Sequence, residues 1–370
     1  MRVAALGDAH LGRAYYPRTT PDGVNQRERD FELSFEAAVD LALAQRPDLV
    51  VWLGDVFDHP RPTYRSYRVA QRALAKIRDH GVPAVVISGN HDTPRLPGTG
   101  SPYSSLADAF PDVNFACRMA YERFEFSGLV VHAVPQMLTV DATLEALAAA
   151  DRGRSGDKAN LLLTHPRLPQ VEPKHSDINE IEVDAGLLRS DFVLLGHYHS
   201  FTPVLDRIWY AGATDTFSFA DELDAKGIVV LDTDSGAIEH FPIANQRPMI
   251  TAEPLKALGL GTDEVQRQMI ERIAAAPPGA VVRLYVEGVA PEVYRLVAQE
   301  AVREASAHVL QVELRVDYAK ISGGVDTIDL PAIGSLWADY VGKQDLVDFK
   351  RDRMRALGDE YLAKAVEAAG

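Results

Sequence analysis

The chain has 370 residues, 46% of them hydrophobic, a formal net charge of −15 at pH 7 and a single cysteine, Cys117. That length predicts two units, and one cysteine excludes an internal disulfide framework and fits a reducing cytoplasm. The acidic balance argues against a globally basic nucleic-acid-binding surface, and no apolar run is long enough for a membrane span or a signal peptide.

In chain order, the first predicted strand is Val3-Ala4-Ala5-Leu6, which ends in Gly7-Asp8-Ala9-His10. Phe31, Phe35, Ala38 and Ala42 then recur at helical spacing. Leu49–Leu53 is a second strand, ending in Gly54-Asp55-Val56-Phe57-Asp58, and Tyr67, Ala70, Leu74 and Ile77 mark a second helix. Ala84–Ile87 leads to Gly89-Asn90-His91-Asp92, Leu161–Leu163 to Thr164-His165, and Phe192–Leu195 to Gly196-His197-Tyr198-His199. These runs are continuously apolar rather than alternating, which suits strands covered on both faces. Strand–helix–strand alternation predicts a layered α/β fold.

Each of the five strands therefore ends in side chains that bind metals, and the crevice beyond strand carboxyl ends is where α/β sheets assemble their sites. Carboxylate, amide oxygen and imidazole together suit Mn²⁺, Fe²⁺ or Zn²⁺ better than Ca²⁺. Two cations about 3.5–4 Å apart stabilise both the attacking and leaving oxygens of a phosphoryl displacement, and a water between them is acidified toward hydroxide. Asp55 is the candidate bridging carboxylate. The glycines before Asp8, Asp55, Asn90 and His197 are expected to let the backbone turn sharply and approach a phosphate.

Any one of these motifs has an ordinary reading. An Asp after a strand is often a helix N-cap, Gly-Asn-His-Asp a turn, and His-Xaa-His a pair of core residues. Five in succession favour the metal reading. His132 has no companion ligand and reads as a core histidine; His80, His240 and His308 read as helix-end or surface residues. His59 and His175 lie near motif loops and are candidate substrate contacts. Cys117 is far from every motif, which argues against cysteine catalysis. Positive charge is local: Arg13 and Arg18 follow the first motif, Arg61, Arg65 and Arg68 the second, and Arg95 the third. With Asp58 and His59, the arginines Arg13, Arg18, Arg61 and Arg95 form the candidate phosphate-contact set, their charge focused at the metals, although each arginine taken singly reads equally as a solvated surface residue.

A second unit is predicted from about residue 247. Ala280–Val286 alternates as a strand, Glu287-Gly288 reads as a turn, 291–307 as a helix and Val309–Val316 as a second strand. Ile321–Asp326 reads as a Gly-rich linker. Residues 330–368 read as helical, with Leu336, Tyr340, Val341, Leu346, Phe349, Met354, Leu357, Tyr361 and Ala365 as an apolar stripe.

The chain resembles the calcineurin-like metallophosphoesterases, and within them the SbcD / Mre-eleven type of DNA-repair nuclease subunit. The five motifs carry the general resemblance. The narrower one rests on Arg27-Glu28-Arg29-Asp30-Phe31, Arg61-Pro62, Tyr210-Ala211-Gly212-Ala213-Thr214, Phe217-Ser218-Phe219, Glu222 and Lys226-Gly227, and extends more weakly through Arg247-Pro248-Met249-Ile250. The likeness implies a four-layer α-β-β-α sandwich over 1–246, a smaller α/β capping domain over 247–320, and a linker with C-terminal helices over 321–370. It implies that Asp8, His10, Asp55 and His199 hold one metal and that Asp55, Asn90, His165 and His197 hold the other, while His91 stabilises the phosphate or protonates the leaving oxygen.

The activity so implied is a Mn²⁺-dependent exonuclease and endonuclease acting on DNA in double-strand-break repair, with Mg²⁺, Fe²⁺ or Zn²⁺ as alternative cations. The implied partners are an SMC-like coiled-coil ATPase of the SbcC type, docked by the C-terminal helices, and a second copy of the chain. The homodimer contact is placed on the stretch 64–80 and the one beginning near Ser104, through Tyr64, Tyr67, Leu106 and Phe110, apolar residues that read equally well as core. The implied location is the cytoplasm, at the nucleoid. Two departures stand out: Thr164-His165-Pro166-Arg167 lacks the small, Gly-containing context usual after this histidine, and Gly212-Ala213-Thr214 replaces a more usual Gly-Ser. A small-molecule phosphoesterase and a non-catalytic DNA-end scaffold are the competing readings.

Overall fold

The computed structural model describes residues 1–172, 178–244, 246–319, 337–338, 340–342 and 348–369. His175, the linker at 321–326, Leu336 and Leu346 lie outside the described residues, as do the side chains of Phe349 and Ala365.

The chain opens with β1 (Arg2–Leu6), α1 (Gln26–Ala44), β2 (Leu49–Leu53), α2 (Tyr64–Asp79), β3 (Ala84–Ile87), α3 (Pro102–Ala109) and β4 (Asn114–Ala116). It continues with β5 (Glu122–Phe126), β6 (Leu129–Val134), α4 (Val140–Arg152), β7 (Ala159–Thr164), β8 (Phe192–Leu195), β9 (Thr202–Leu205) and β10 (Ile208–Tyr210). There follow β11 (Gly227–Asp232), β12 (Ile238–Pro242), β13 (Met249–Thr251), β14 (Leu255–Lys256), α5 (Thr262–Ala274), β15 (Val281–Val289), α6 (Pro291–Arg295), α7 (Gln299–Ala305), β16 (Gln311–Tyr318) and α8 (Asp348–Ala369).

The continuous apolar runs become central strands. One sheet has the order β12-β11-β1-β2-β3-β4 and the other β5-β6-β7-β8-β10-β9. Within them β1 to β4 run parallel, as do β6, β7 and β8. Strand residues alternate between two cores. Ala4, Val50 and Val86 face α1 and α2, packing with Phe35, Ala38, Val69 and Leu74. Val3, Ala5, Val51 and Val85 face the second sheet, packing with Val131, Leu161 and Leu194. On that sheet's outer face Leu162 and Val193 pack with Ala146, Leu147 and Ala150 of α4. The result is the four-layer α-β-β-α sandwich. It explains the absence of polar alternation, since neither face of the central strands meets water. His132 sits in this interior with Nδ1 on the Tyr121 hydroxyl (2.9 Å) and Nε2 on Asn160 Oδ1 (3.1 Å), a paired core histidine.

The chain divides into two units: Met1–Glu253 with Gln266–Tyr285 and Ala298–Arg315, and Pro254–Val265 with Val286–Val297 and Val316–Gly370. In the larger, β13 runs parallel to the start of β15, pairing Met249 with Val281, and Ala276, Ala280, Val282 and Val309 form a small core. In the smaller, Leu255 and Lys256 pair with Val286 and Glu287. Three expectations change here. Glu287-Gly288 does not end the strand, which runs on to Val289 with Gly288 at φ +70°. The helix expected over 291–307 is two, because Ala298 is extended (φ −71°, ψ 96°) and its amide goes to the Gln266 side chain at 2.9 Å. Leu106 and Phe110 are core residues of α3 and its cap, and Tyr67 packs partly on the same core. Of the four residues placed at a dimer contact, Tyr64 alone is fully outward, at 93% exposure.

Candidate metal centre

The first two strands end side by side, Leu6 opposite Trp52. The loops beyond them stay joined: the Asp8 amide donates to Gly54 O (3.3 Å), His10 to Asp55 O (2.9 Å) and Leu11 to Val56 O (2.8 Å). This pairing turns both loops toward the same crevice. Asp8 (φ +46°), His10 (+45°), Asp55 (+49°) and His197 (+97°) all occupy left-handed backbone, which non-glycine residues rarely adopt and which tends to collect at functional sites.

The turn expected of the glycines holds at one of them, and crowding explains two others. Only Gly54 among those before the ligands is left-handed, at φ +93°. A Cβ on Gly89 would stand 2.2 Å from Asp55 Oδ1, and one on Gly196 would stand 2.2 Å from Leu53 O. Gly89 and Gly196 are small because neighbouring strand ends crowd them.

The seven expected donors converge and are buried. His165 Nε2 lies 3.2 Å from Asp55 Oδ2, 3.8 Å from Asp8 Oδ1 and 3.1 Å from Asn90 Oδ1. His197 Nδ1 also lies 3.1 Å from Asn90 Oδ1. His10 Nε2 faces His199 Nε2 at 3.3 Å and Asp55 Oδ2 at 3.9 Å. The other nitrogen of each ring points to an oxygen acceptor: His10 Nδ1 to Asp58 Oδ1 (3.1 Å), His165 Nδ1 to Leu53 O (2.6 Å), His197 Nε2 to Glu180 Oε1 (3.1 Å) and, more distantly, His199 Nδ1 to Asp221 Oδ2 (3.9 Å). A proton placed on that nitrogen leaves the inward one with its lone pair, the arrangement that metal-binding imidazoles adopt.

Two inward imidazole nitrogens 3.3 Å apart repel unless something positive lies between them. Burial, with His91 and His199 nearby, holds the His10 imidazole well below its usual pKa. The donor set thus fits divalent cations. Ligand atoms of Asp8, His10 and His199 lie within 4.8 Å of one another, as do those of Asp8, Asp55 and His165, and those of His10, Asp55 and His91.

The charges respond to their crowding. Burial pushes the Asp8 carboxyl up to about 8, offset in part by His165 and reinforced by Asp55. Burial would raise Asp55 as well, but His165 and His91 bring it below the ordinary carboxylate value. Burial would lower His165, yet Asp55 and Asp8 raise it to about 10. Asp92 is pushed up to about 7 by burial and by Asp55.

Around the centre, His91 opens on a cavity of about 410 Å³ that Asn90, Asp58, His59, Arg61 and Arg95 also line. Its Nδ1 is 3.2 Å from Asp58 O, and its ring meets that of His10 edge-on at 4.6 Å. Arg13 pairs with Asp58 at 3.3 Å. Arg18 is exposed and does not line this cavity. Several residues outside the expected ligand set touch the ligands, Glu180 and Asp221 among them without any motif signal. Glu180 holds His197. Asp221 and Lys226 lie behind His199, with Lys226 Nζ donating to His199 O. Asp92 takes the amides of Gly89 (2.8 Å) and Phe57 (3.4 Å) and the Tyr103 hydroxyl, tying two motif loops together.

Residues 1–201 match the family model for calcineurin-like phosphoesterase. Among curated proteins the chain is similar to the DNA double-strand break repair protein Mre11 of Saccharolobus solfataricus, at 26% identity over 73% of this chain and 69% of that protein. It is similar to the protein of the same name from Thermoplasma acidophilum, at 28% over 67% of each, and from Methanopyrus kandleri, at 24% over 90% of this chain and 75% of that protein. The chain belongs to the calcineurin-like phosphoesterase family and is a metal-dependent phosphoester hydrolase.

Proposed function

We propose that this calcineurin-like phosphoesterase is a DNA nuclease of double-strand-break repair, cleaving duplex ends exonucleolytically and single-stranded or hairpin DNA endonucleolytically. The observation that carries the reading is the convergence of seven buried donors beside a cavity edged by His91, Arg61 and Arg95. The likeness to proteins named for double-strand break repair supports the substrate, because it continues past the phosphoesterase region to 90% of the chain.

In this reading Asp8, His10, Asp55 and His199 hold one cation, and Asp55, Asn90, His165 and His197 hold the other, both Mn²⁺. When bound, the cations supply Lewis-acid charge and an acidified water for attack on phosphorus. The chain's own residues do the rest. Asp55 stands between His10 and His165, so one carboxylate serves both halves of the centre. His91 touches the substrate, donating a hydrogen bond to the phosphate or a proton to the leaving oxygen. Arg61, Arg95, His59 and Asp58 border the entering backbone, with Arg13 and Arg18 further out. The partner is an SMC-like coiled-coil ATPase of the SbcC type docked by the segment 321–370, which also compensates the acidic surface in binding DNA. In α8, Leu357 and Tyr361 are exposed, as an interaction stripe requires. A second copy of the chain is a further partner, through α2 and Tyr64. The domain limits 1–246, 247–320 and 321–370 belong to the same proposal, as does a cytoplasmic, nucleoid-associated location. Among the described residues no helix is long and apolar enough to cross a membrane.

The test is purified protein with Mn²⁺, Mg²⁺ or Zn²⁺ on end-labelled duplex and hairpin DNA, beside p-nitrophenyl phosphate esters. Mononucleotides released from duplex ends support the nuclease. Cleavage confined to the small esters makes the protein a small-molecule phosphoesterase, and end binding without any cleavage makes it a scaffold.

A further inference from the structure

The departure after the fourth motif has a structural counterpart. Arg167 forms a short parallel bridge with the segment that follows residue 177: its amide donates to Ile181 O (2.9 Å), and its carbonyl accepts from the Val183 amide (3.0 Å). Its guanidinium lies 3.6 Å from Glu182 and 3.9 Å from Glu180. Ile181 and Val183 are buried in the outer core with Val134, Leu162 and Leu168, and the Gln136 amide donates to Asn179 O at 2.9 Å. The segment is thereby anchored beside the metal centre.

From that anchor it reaches two of the seven donors. Ile178 O accepts from Asn90 Nδ2 at 2.8 Å, and Glu180 Oε1 lies 3.1 Å from His197 Nε2. With its nitrogen committed to a carbonyl, the Asn90 amide turns its oxygen inward. That oxygen stands 3.1 Å from both His165 Nε2 and His197 Nδ1. A carboxylate on Nε2–H fixes the His197 proton there, aims the ring and makes Nδ1 a better donor.

We propose that Glu180 is a positioning residue for His197 and that the segment 178–180, carried by Arg167, sets the geometry of one of the two cation subsites. The proposal rests on the metal-centre reading above. It assigns a role to the Pro166-Arg167 departure, for which the ligand set alone has no use.

The experiment is calorimetric titration of chelator-stripped wild type, Glu180→Ala and Glu180→Gln with MnCl₂, alongside the melting temperature of each metal-free protein. Wild type takes up two Mn²⁺. Glu180→Ala weakens one event by about 10- to 100-fold, the range typical of a lost outer partner of a metal ligand, and leaves the other unchanged. Glu180→Gln recovers most of the affinity, because its amide oxygen accepts the same Nε2–H. Metal-free melting temperatures stay together. An unchanged isotherm in Glu180→Ala overturns the role of Glu180 while leaving the metal centre standing. Equal weakening of both events with a lowered melting temperature in both variants also overturns it, by making the residue structural. A wild type that takes up no Mn²⁺ sinks the metal-centre reading itself.

Discussion

The His91 amide donates to Asp55 Oδ1 at 2.9 Å while Asp55 Oδ2 faces His165 Nε2 at 3.2 Å. One carboxylate therefore joins the third motif to the fourth, and its free energy is tied to both. Asp55→Asn keeps the size but removes the charge. Metal content is expected to fall toward zero, and phosphodiesterase activity with it, by more than the roughly 10- to 100-fold seen when only an outer partner is lost. Elemental analysis after gel filtration in Mn²⁺ checks this. A variant that retains both cations and normal turnover would falsify the bridging role.

His91 lies on the cavity side of the centre, and the proposed function gives it a task in the transition state. His91→Gln is expected to keep metals and DNA affinity and to lose kcat by about 10²–10⁴, with little change in KM. Loss of a cation in this variant would instead make His91 a ligand, as its place with His10 and Asp55 allows.

Cation uptake should release protons. Asp8, pushed up to about 8 by burial, and His165, raised to about 10 by the Asp55 charge against its own burial, both hold a proton at pH 7 in the metal-free protein. Each must lose it to become a ligand, so affinity rises with pH through about 8 and on toward 10. Titrating Mn²⁺ at pH 7 in buffers of different ionisation enthalpy reads the released protons directly. Heats that do not depend on the buffer would show that these groups already lack them.

Arg27, 1% exposed, donates to Asp215 (3.1 Å), Thr216 O (2.6 Å) and Asp30 (3.0 Å), and Asp215 is fully buried. Arg27→Ala leaves that carboxylate without its counter-charge, a loss of about 3–5 kcal/mol. The expected fall in Tm is roughly 2–4 °C for each kcal/mol, so near 10 °C in all. A fall under 2 °C in thermal unfolding at neutral pH would mean that water or Ser34 compensates Asp215.

Much of the centre was legible in the chain itself. A strand covered on both faces has no wet side, so Val3–Leu6, Leu49–Leu53 and Ala84–Ile87 had to be continuously apolar. The polar residues that interrupt them mark the strand ends. The donor types at those ends, Asp8 with His10 and His197 with His199 above all, follow from chain order alone. That is local information: periodicity and residue chemistry report the environment of a short stretch.

What only the tertiary structure decided is which distant stretches meet. No spacing places Glu180 on His197 or Ile178 on Asn90, because each depends on how a loop returns across the sheet. The crowding that requires glycine at 89 and 196 comes from Asp55 and Leu53, supplied by a different strand. Leu106 and Phe110 could be read as surface or core from their spacing, and the packing of α3 on Phe115 and Cys117 buried them. Strand order is of the same kind: β11 pairs with β1 although the two lie far apart in the chain, since pairing energy depends on backbone hydrogen bonds that any apolar strand can make, and topology chooses among them.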